Sequence, residues 1–197
     1  MDLFYGTTVK ENVIAFKKDL KQVALKYDYD FGKKRIHIAN GNLENIGNCI
    51  LVVGPPLKLN DKHFQDKYSN YLFKTALDFK MPNTFLVSCF PIPLERISKT
   101  NIKEFNPWME KLVDIFRPKL VVVLGEDAQF SFVKRKHILR DYHGKIITKT
   151  VAGIDVLLSY TMDYFIDLSE FEDGSYKDFI RNADWTIIKK YYDERIK

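Results

Sequence analysis

The sequence has few cysteines and no long apolar run, and these absences exclude several kinds of protein. Its two cysteines, Cys49 and Cys89, are too few for a four-cysteine metal or iron–sulphur site. No apolar run reaches the length of about 20 residues that crosses a bilayer. The N-terminal stretch MDLFYGTTVKEN lacks the basic and apolar regions of a signal peptide. We therefore expect a cytoplasmic protein that uses no membrane, metal or cofactor.

The sequence also lacks a glycine-rich phosphate loop. The apolar run at 50–53 continues into Gly54-Pro55-Pro56, which has few backbone amides to offer a phosphate. With 46 % hydrophobic and 29 % charged residues, the composition is that of a globular chain. Residues 1–197 are expected to form a single domain. Aromatic residues make up 14 % of the chain, which indicates either a phenylalanine-rich core or an aromatic binding face.

The charge is moderately positive, at +5 with a pI near 9.0. Short basic runs occur at 17–18, 33–35 and 134–136. Each run alone is typical of a solvated face, whereas together they favour a polyanionic partner such as DNA.

Buried strands alternate with helices along the chain. Mainly apolar runs at 49–53, 84–90 and 120–124 predict strands buried on both faces, and 145–151 with 154–160 predict a hairpin or a short connection. Helical spacing predicts five helices, which are expected at about 9–27, at about 61–79, from an Asn101 N-cap, at about 127–133, and from a Ser175 N-cap. This alternation predicts an α/β fold, a three-layer α/β/α sandwich around a central, mainly parallel four-stranded sheet. In such folds the loops at the carboxyl ends of the strands form the site.

Those loops resemble the uracil-DNA glycosylase superfamily, specifically its iron–sulphur bacterial branch. The segments TFLVSCFP (84–91), PWM (107–109) and RPKLVVVLGEDA (117–128) are similar to that branch's T-N-V-V-K-C-R-P-P, C-x-P-[YW]-L and R-P-K-hhh-x-L-G-x-x-A motifs. SYTMD (159–163) falls where the family has T-Y-H-P-S, and Gly54-Pro55 falls where it has G-E-A-P-G. The resemblance covers about residues 50–192, so the N-terminal helix and extension over 1–48 lie outside it.

The resemblance implies a pocket that receives a base turned out of the DNA helix. The family's acidic residue corresponds to Pro55, which cannot exchange a proton, and Asp61 is the nearest carboxylate. Asp61 is more readily interpreted as a helix N-cap. Tyr68 falls near the family's base-stacking aromatic residue, and it fits a position at the edge of the core equally well.

The remaining chemical residues of the family also differ in this sequence. Phe85 occupies the position of the asparagine that reads the pyrimidine edge, and Thr161 occupies that of the catalytic histidine. His137 and His143 lie elsewhere in the pattern, and His143 beside Gly144 is typical of a turn. Cys89 matches one cluster ligand but Phe105 replaces the next, so no iron–sulphur cluster is expected.

These substitutions leave three hypotheses for the function. The first is a non-catalytic member of the fold that binds DNA or a protein partner, for example in a viral DNA replication, repair or transcription complex. The second is a glycosylase of altered specificity whose pocket includes Gly54, Pro55, Tyr68, Phe85 and Thr161, with Asp61 and Thr161 as catalytic candidates. The third is a different function on a similar sheet. DNA-backbone contacts, or alternatively the role of ordinary solvated charges, are predicted for a set of basic residues near the loops, namely Lys58, Lys62, Lys67, Arg96, Lys99 and Lys103.

Overall fold

Five strands form the centre of the fold. They are β1 (Ile50–Gly54), β2 (Thr84–Ser88), β3 (Leu120–Leu124), β4 (Ile146–Ile147) and β5 (Val156–Ser159). The computed structural model describes residues 9–27, 46–56, 67–92, 94, 96–133, 137–148, 150, 153–166 and 175–196. In this part of the chain the sheet order is β2-β1-β3-β5-β4. Strands β1, β2, β3 and β5 are parallel to one another, and β4 pairs antiparallel with β5.

The mainly parallel sheet and the hairpin between β4 and β5 are therefore confirmed. The predicted number of four strands is too low, because the sheet includes β4 at its edge. This strand has only two residues and its side chains are partly exposed. The segment 145–151 that predicted one arm of the hairpin contains β4, so the error lies in the strand count and not in the position of the strand.

Eight helices accompany the strands in the described residues. They are α1 (Val9–Leu25), α2 (Lys67–Asp78), α3 (Lys99–Glu104), α4 (Asn106–Phe116), α5 (Gly125–Gln129), α6 (Leu139–Tyr142), α7 (Met162–Ile166) and α8 (Ser175–Arg195). Helices α1, α2 and α8 match predicted helices, although residues 61–66 of the second predicted helix lie outside the described residues. Helix α5 begins two residues N-terminal to its predicted start. The short helices α6 and α7 have no counterpart among the predicted helices.

The predicted N-cap at Asn101 is wrong. Ser98 caps α3, and Asn101 is the third residue of the helix, where its side chain completes a capping box with Ser98. The apolar pattern that predicted one helix is divided between α3 and α4 at Phe105. Pro107 lies in the first turn of α4, where the missing N–H of proline has no helical partner to lose.

Two apolar layers cover the two faces of the sheet. One contains the side chains of α1, α3 and α4, with Phe85, Phe90 and Phe105 among its fully buried residues. The other contains those of α2, α7 and α8, with Trp185 at its centre. The described part of the chain is thus a three-layer α/β/α sandwich. Most of its aromatic residues belong to these layers, as the phenylalanine-rich core hypothesis predicts. No described helix has both the length and the apolar character needed to span a bilayer.

Candidate functional site

The carboxyl ends of the four parallel strands meet at one edge of the sheet, which we call the carboxyl edge. Gly54 of β1 is in register with Ser88 of β2, and Leu124 of β3 is in register with Ser159 of β5. The loops that follow these residues are therefore neighbours. This edge is where ligands bind in open α/β sheets.

At the ends of β1 and β2 the polar atoms bond to the backbone. The Ser88 Oγ lies 2.8 Å from the Pro55 carbonyl oxygen and 2.9 Å from that of Phe90, and it accepts a hydrogen bond from the Phe90 N–H. The Cys89 N–H donates to the Gly54 carbonyl oxygen over 3.0 Å. Pro55 is exposed and has no group that exchanges a proton. The hydrogen bonds of Ser88 and Cys89 therefore stabilise the backbone at this end of the edge, and Gly54, Pro55 and Ser88 offer no general acid or base.

At the end of β3 the backbone turns tightly against Thr161. Gly125 has φ +82°, and a Cβ added there would overlap the Thr161 Cγ2. Only glycine fits a turn that is both left-handed and this crowded. The methyl group of Thr161, a predicted site residue, therefore packs onto Gly125 at the carboxyl edge.

Gly54, Pro55 and Thr161 lie at the carboxyl edge, but not all of the other predicted pocket residues do. Phe85 is the second residue of β2, is fully buried, and packs edge-to-face on Phe116 at 5.0 Å between ring centroids. It lies in the core rather than at the carboxyl edge. Lys58, Asp61 and Lys62 lie outside the described residues, as do the side chains of Lys67 and Tyr68.

Two of the residues predicted to contact the DNA backbone lie beside an aromatic ring. The Nζ atoms of Lys99 and Lys103 lie 5.3 and 5.5 Å from the centre of the Phe130 ring. We call Lys99, Lys103 and Phe130 the lysine–phenylalanine patch. Phe130 follows α5 directly, and its carbonyl oxygen accepts a hydrogen bond of 2.9 Å from Asn106 Nδ2.

The patch combines exposed positive charge with an aromatic face. Both of its lysines, like Arg96 just before α3, are exposed, and no carboxylate in the described residues lies within 4.0 Å of their charged groups. Glu126 and Asp127 in the first turn of α5 are also exposed. The carboxyl edge is therefore of mixed charge, with its basic part on the α3 side.

A second group of polar side chains lies at the end of β5. The buried carboxylate of Asp184, on α8, is 2.9 Å from the His143 Nδ1 and accepts a hydrogen bond of 2.7 Å from the Ser159 hydroxyl. We call His143, Ser159 and Asp184 the histidine–aspartate cluster. The side chain of Asp184 is 1 % exposed, whereas that of His143 is 24 % exposed. The cluster thus connects a buried carboxylate to an imidazole that reaches the solvent.

The backbone around Gly144 brings His143 to this position. The Gly144 N–H donates to the Leu158 carbonyl oxygen over 2.8 Å, so the turn pairs with β5 on the side away from β3. Gly144 has φ +70°, and a Cβ added there would lie 2.6 Å from the Asp184 Oδ1. Glycine therefore allows both the left-handed turn and the close approach of the carboxylate.

The carboxylate determines how the imidazole is protonated. An ionised carboxylate only accepts hydrogen bonds, so the Nδ1 of His143 carries the hydrogen and Nε2 is left free of the carboxylate. Burial raises the pKa of the Asp184 carboxyl, and the hydrogen bonds from His143 and Ser159 limit that rise. A buried charge of this kind destabilises the fold unless its partners are held in place.

The cluster is not a nucleophilic triad. In such a triad the histidine accepts the proton of the serine, and the carboxylate bonds to the far side of the histidine. Here Ser159 is fully buried and bonds to the carboxylate instead. The arrangement therefore positions one imidazole and activates no hydroxyl group.

Aromatic rings continue the surface next to His143. Its ring centre lies 5.2 Å from that of Tyr160, the residue after β5, and Tyr160 stacks on Tyr164 at 4.3 Å with 16° between the planes. The imidazole is thus held by a carboxylate on one side and by an aromatic pair on the other.

The histidine–aspartate cluster is absent from the sequence-based predictions. The interpretation of His143 as a turn residue is correct for its backbone, but it leaves the side chain without its partner. A signal is present in the sequence, since Asp184 lies four residues after Ile180 and four before Ile188, on the buried face of α8. A charged residue in a buried helical stripe needs a hydrogen-bonding partner, and His143 and Ser159 provide it.

The two cysteines are buried thiols. Burial raises the pKa of Cys49 to about 12. Burial also raises the pKa of Cys89 far above its usual range, and the nearby Asp127 carboxylate raises it further. Neither thiol is poised to act as a thiolate ligand or nucleophile. Within the described residues, no three His, Cys, Asp or Glu side chains are placed to hold a metal ion.

Comparison with known proteins finds no matching family model and no matching curated sequence.

Proposed function

We propose that this chain binds DNA at the carboxyl edge of a uracil-DNA-glycosylase-like fold and does not excise uracil. It acts as a non-catalytic component of a DNA replication, repair or transcription complex. The observation that carries the proposal is the lysine–phenylalanine patch, which offers two exposed ammonium groups and a ring at the edge where ligands of α/β folds bind.

The chemistry of the patch suits the backbone of DNA. Lysines contact phosphates without reading the base sequence, and an aromatic face accepts a stacked base from a single strand. Arg96 extends the positive charge toward β2. The binding is therefore non-sequence-specific.

The absence of uracil excision follows from the residues at three family positions. Pro55 offers no general base, Phe85 is in the core, and Thr161 offers no positive charge. General-base and electrostatic contributions each amount to about two to four powers of ten in rate. Without these groups, uracil excision is expected to be negligible.

Salt-dependent DNA binding tests the proposal. Fluorescence anisotropy with labelled single- and double-stranded oligonucleotides should show an affinity that falls steeply as salt is added. The variant Lys99→Gln/Lys103→Gln should reduce the salt slope by about two, one unit for each phosphate contact. The control Lys17→Gln/Lys18→Gln removes the same charge from the exposed face of α1 and should leave the slope unchanged. Affinity that is insensitive to salt, or equally reduced by both variants, would contradict the proposal.

A glycosylase of altered specificity is the second candidate, and the histidine–aspartate cluster favours it. An imidazole held by a carboxylate is able to donate or accept a proton at the carboxyl edge. Oligonucleotides that contain uracil, hypoxanthine, xanthine or hydroxymethylated pyrimidines, treated with the protein and then alkali, separate the candidates. A strand break at any of these bases identifies an enzyme. If neither DNA binding nor a strand break is found, capture of a protein partner becomes the experiment of choice.

A further inference from the structure

Two carboxylates border the lysine–phenylalanine patch, and together with its ring they bear on the form of DNA that the patch accepts. We propose that the patch prefers single-stranded to double-stranded DNA, with Phe130 as the base-stacking residue and with Glu126 and Asp127 as the residues that disfavour the duplex. This inference rests on the proposed DNA binding and names the class of nucleic acid that the site binds.

The ring of Phe130 is presented by a well-supported backbone. Phe130 ends α5 in a helical conformation, and Asn106 Nδ2 donates a hydrogen bond of 2.9 Å to its carbonyl oxygen. The side chain is only partly buried, so part of it faces the solvent. Stacking requires the flat face of a base, which a single strand offers and which a duplex covers with the neighbouring base pairs. The ring therefore has a contact to offer that only an unpaired base is able to use.

The two ammonium groups of the patch lie close to this ring. The Nζ atoms of Lys99 and Lys103 are 5.3 and 5.5 Å from its centre, near the upper limit of about 6 Å for cation–π contact. Both side chains are exposed, and such contacts are weak at exposed sites. The lysines are therefore available to the phosphates that flank a base stacked on Phe130, which is the combination typical of sites for single strands.

Glu126 and Asp127 lie four and three residues before Phe130 in the same helical segment. Residues at these spacings are neighbours on a helix surface, and both acidic residues are exposed. Two negative charges thus offset the attraction of the two lysines for a polyanion.

This balance of charge disfavours the duplex. A duplex carries one charge for about 1.7 Å of its axis, whereas one strand carries one for about 3.4 Å. The duplex therefore meets the stronger repulsion from the two carboxylates, and it gains no stacking on the ring in return. Repulsive groups of this kind are a common source of specificity.

Binding of one sequence in both forms tests the inference. Fluorescence anisotropy at a single salt concentration should show tighter binding of the strand alone than of its duplex. Phe130→Leu keeps an apolar side chain but removes the stacking face. It should weaken single-strand binding by about five- to 150-fold, the effect of losing one stacked base, and leave duplex binding unchanged. Phe179→Leu, at an exposed phenylalanine of α8, is the matched control and should change neither.

Neutralising the carboxylates tests their part in the preference. Glu126→Gln/Asp127→Asn should raise the affinity for the duplex more than the affinity for the single strand, so that the preference narrows. The control Asp193→Asn/Glu194→Gln removes the same charge from exposed positions near the end of α8 and should leave the ratio of the two affinities unchanged. An equal rise for both forms of DNA in the α5 variant would overturn the role of the carboxylates.

A measurement on the native chain covers the case in which Phe130→Leu does not fold. Irradiation of a bound single strand that contains 5-iodouracil joins this base to an aromatic ring stacked on it, and mass spectrometry should locate the adduct at Phe130. Equal affinity for both forms of DNA, an equal loss of both in Phe130→Leu, or no adduct at Phe130 would overturn the inference and leave the proposed function intact. An absence of binding to either form would refute the proposed function itself.

Discussion

The ends of β1 and β2 hold only neutral polar groups that bond to the backbone, whereas the end of β5 holds a buried carboxylate, although all three ends lie at the carboxyl edge. At β1 and β2 the Ser88 hydroxyl and the backbone around Pro55 bond to each other, and no proton-exchanging group is among them. At β5 the fold keeps a buried carboxylate and directs an imidazole outward. The first arrangement stabilises the fold without burying a charge. The second destabilises the fold but presents an imidazole that is able to exchange a proton. A destabilising group at the edge where ligands bind is a better guide to function than a partial match to a motif.

The largest expected effect comes from placing asparagine at Phe85, as in the uracil-DNA glycosylase motif that this segment resembles. Phe85→Asn removes a fully buried ring that packs on Phe116 and leaves an amide without partners. Large-to-small changes of aromatic core residues cost about 3–5 kcal/mol, and the buried amide adds to this cost. Urea unfolding measures the change. Phe85→Leu keeps an apolar side chain and should cost clearly less. A small cost for Phe85→Asn would mean that this position lies at the edge after all.

The next effect concerns the turn between β3 and α5. Gly125→Ala combines a left-handed backbone with a clash against the Thr161 methyl group, and should cost about 3 kcal/mol. Gly153→Ala is the control, since Gly153 has φ +68° but nothing within 4 Å of an added Cβ. It should cost about 1–2 kcal/mol from the backbone alone. Adding Thr161→Ser, which removes the methyl group, should recover part of the loss in Gly125→Ala. Equal costs for the two alanine variants would show that the contact with Thr161 is unimportant.

A smaller effect that depends on pH is expected at Asp184. Burial raises the pKa of its carboxyl in the folded chain above the value of about 3.9 in an unfolded chain. The folded state therefore binds more protons between these two values, and the contribution of Asp184 to stability is present below about pH 4 and is lost as pH rises through the folded pKa. The amide of the Asp184→Asn variant does not titrate, so this variant lacks the pH-dependent contribution.

Urea unfolding at several pH values tests this reasoning. The free energy of unfolding of Asp184→Asn, relative to that of the native chain, should increase with pH by about 1.4 kcal/mol for each unit of pKa difference. Asp178→Asn, in the exposed first turn of the same helix, is the control and should show no such increase. A flat difference for Asp184→Asn would mean that His143 and Ser159 fully compensate the burial of the carboxylate.

The sequence predicts the sheet well and the histidine–aspartate cluster poorly, for a physical reason. The apolar runs of β1, β2 and β3 identify their strands because burial on both faces leaves a continuous local pattern. The cluster joins residues 143, 159 and 184, which come together only when α8 docks on the sheet. No local pattern encodes that docking. The same limitation explains the error at Phe85. The motif predicted a pocket residue at this position, whereas the side chain packs in the core.

The smallest effect on stability is expected at Pro55, where a substitution tests whether the end of β1 is able to support uracil excision. Pro55→Glu places a carboxylate at an exposed position, and the Pro55 carbonyl oxygen near the Ser88 hydroxyl belongs to the backbone and is retained. The loss of proline should cost up to about 1 kcal/mol through the entropy of the unfolded chain. Uracil excision should stay undetectable in the alkali-cleavage assay, because a carboxylate alone neither binds the edge of the base nor stabilises the charge that develops on it. Pro55→Gln has the same shape without the charge. A strand break produced by the glutamate variant and not by the glutamine variant would show that the rest of a glycosylase pocket is present, and that a carboxylate at position 55 is the one group it lacks.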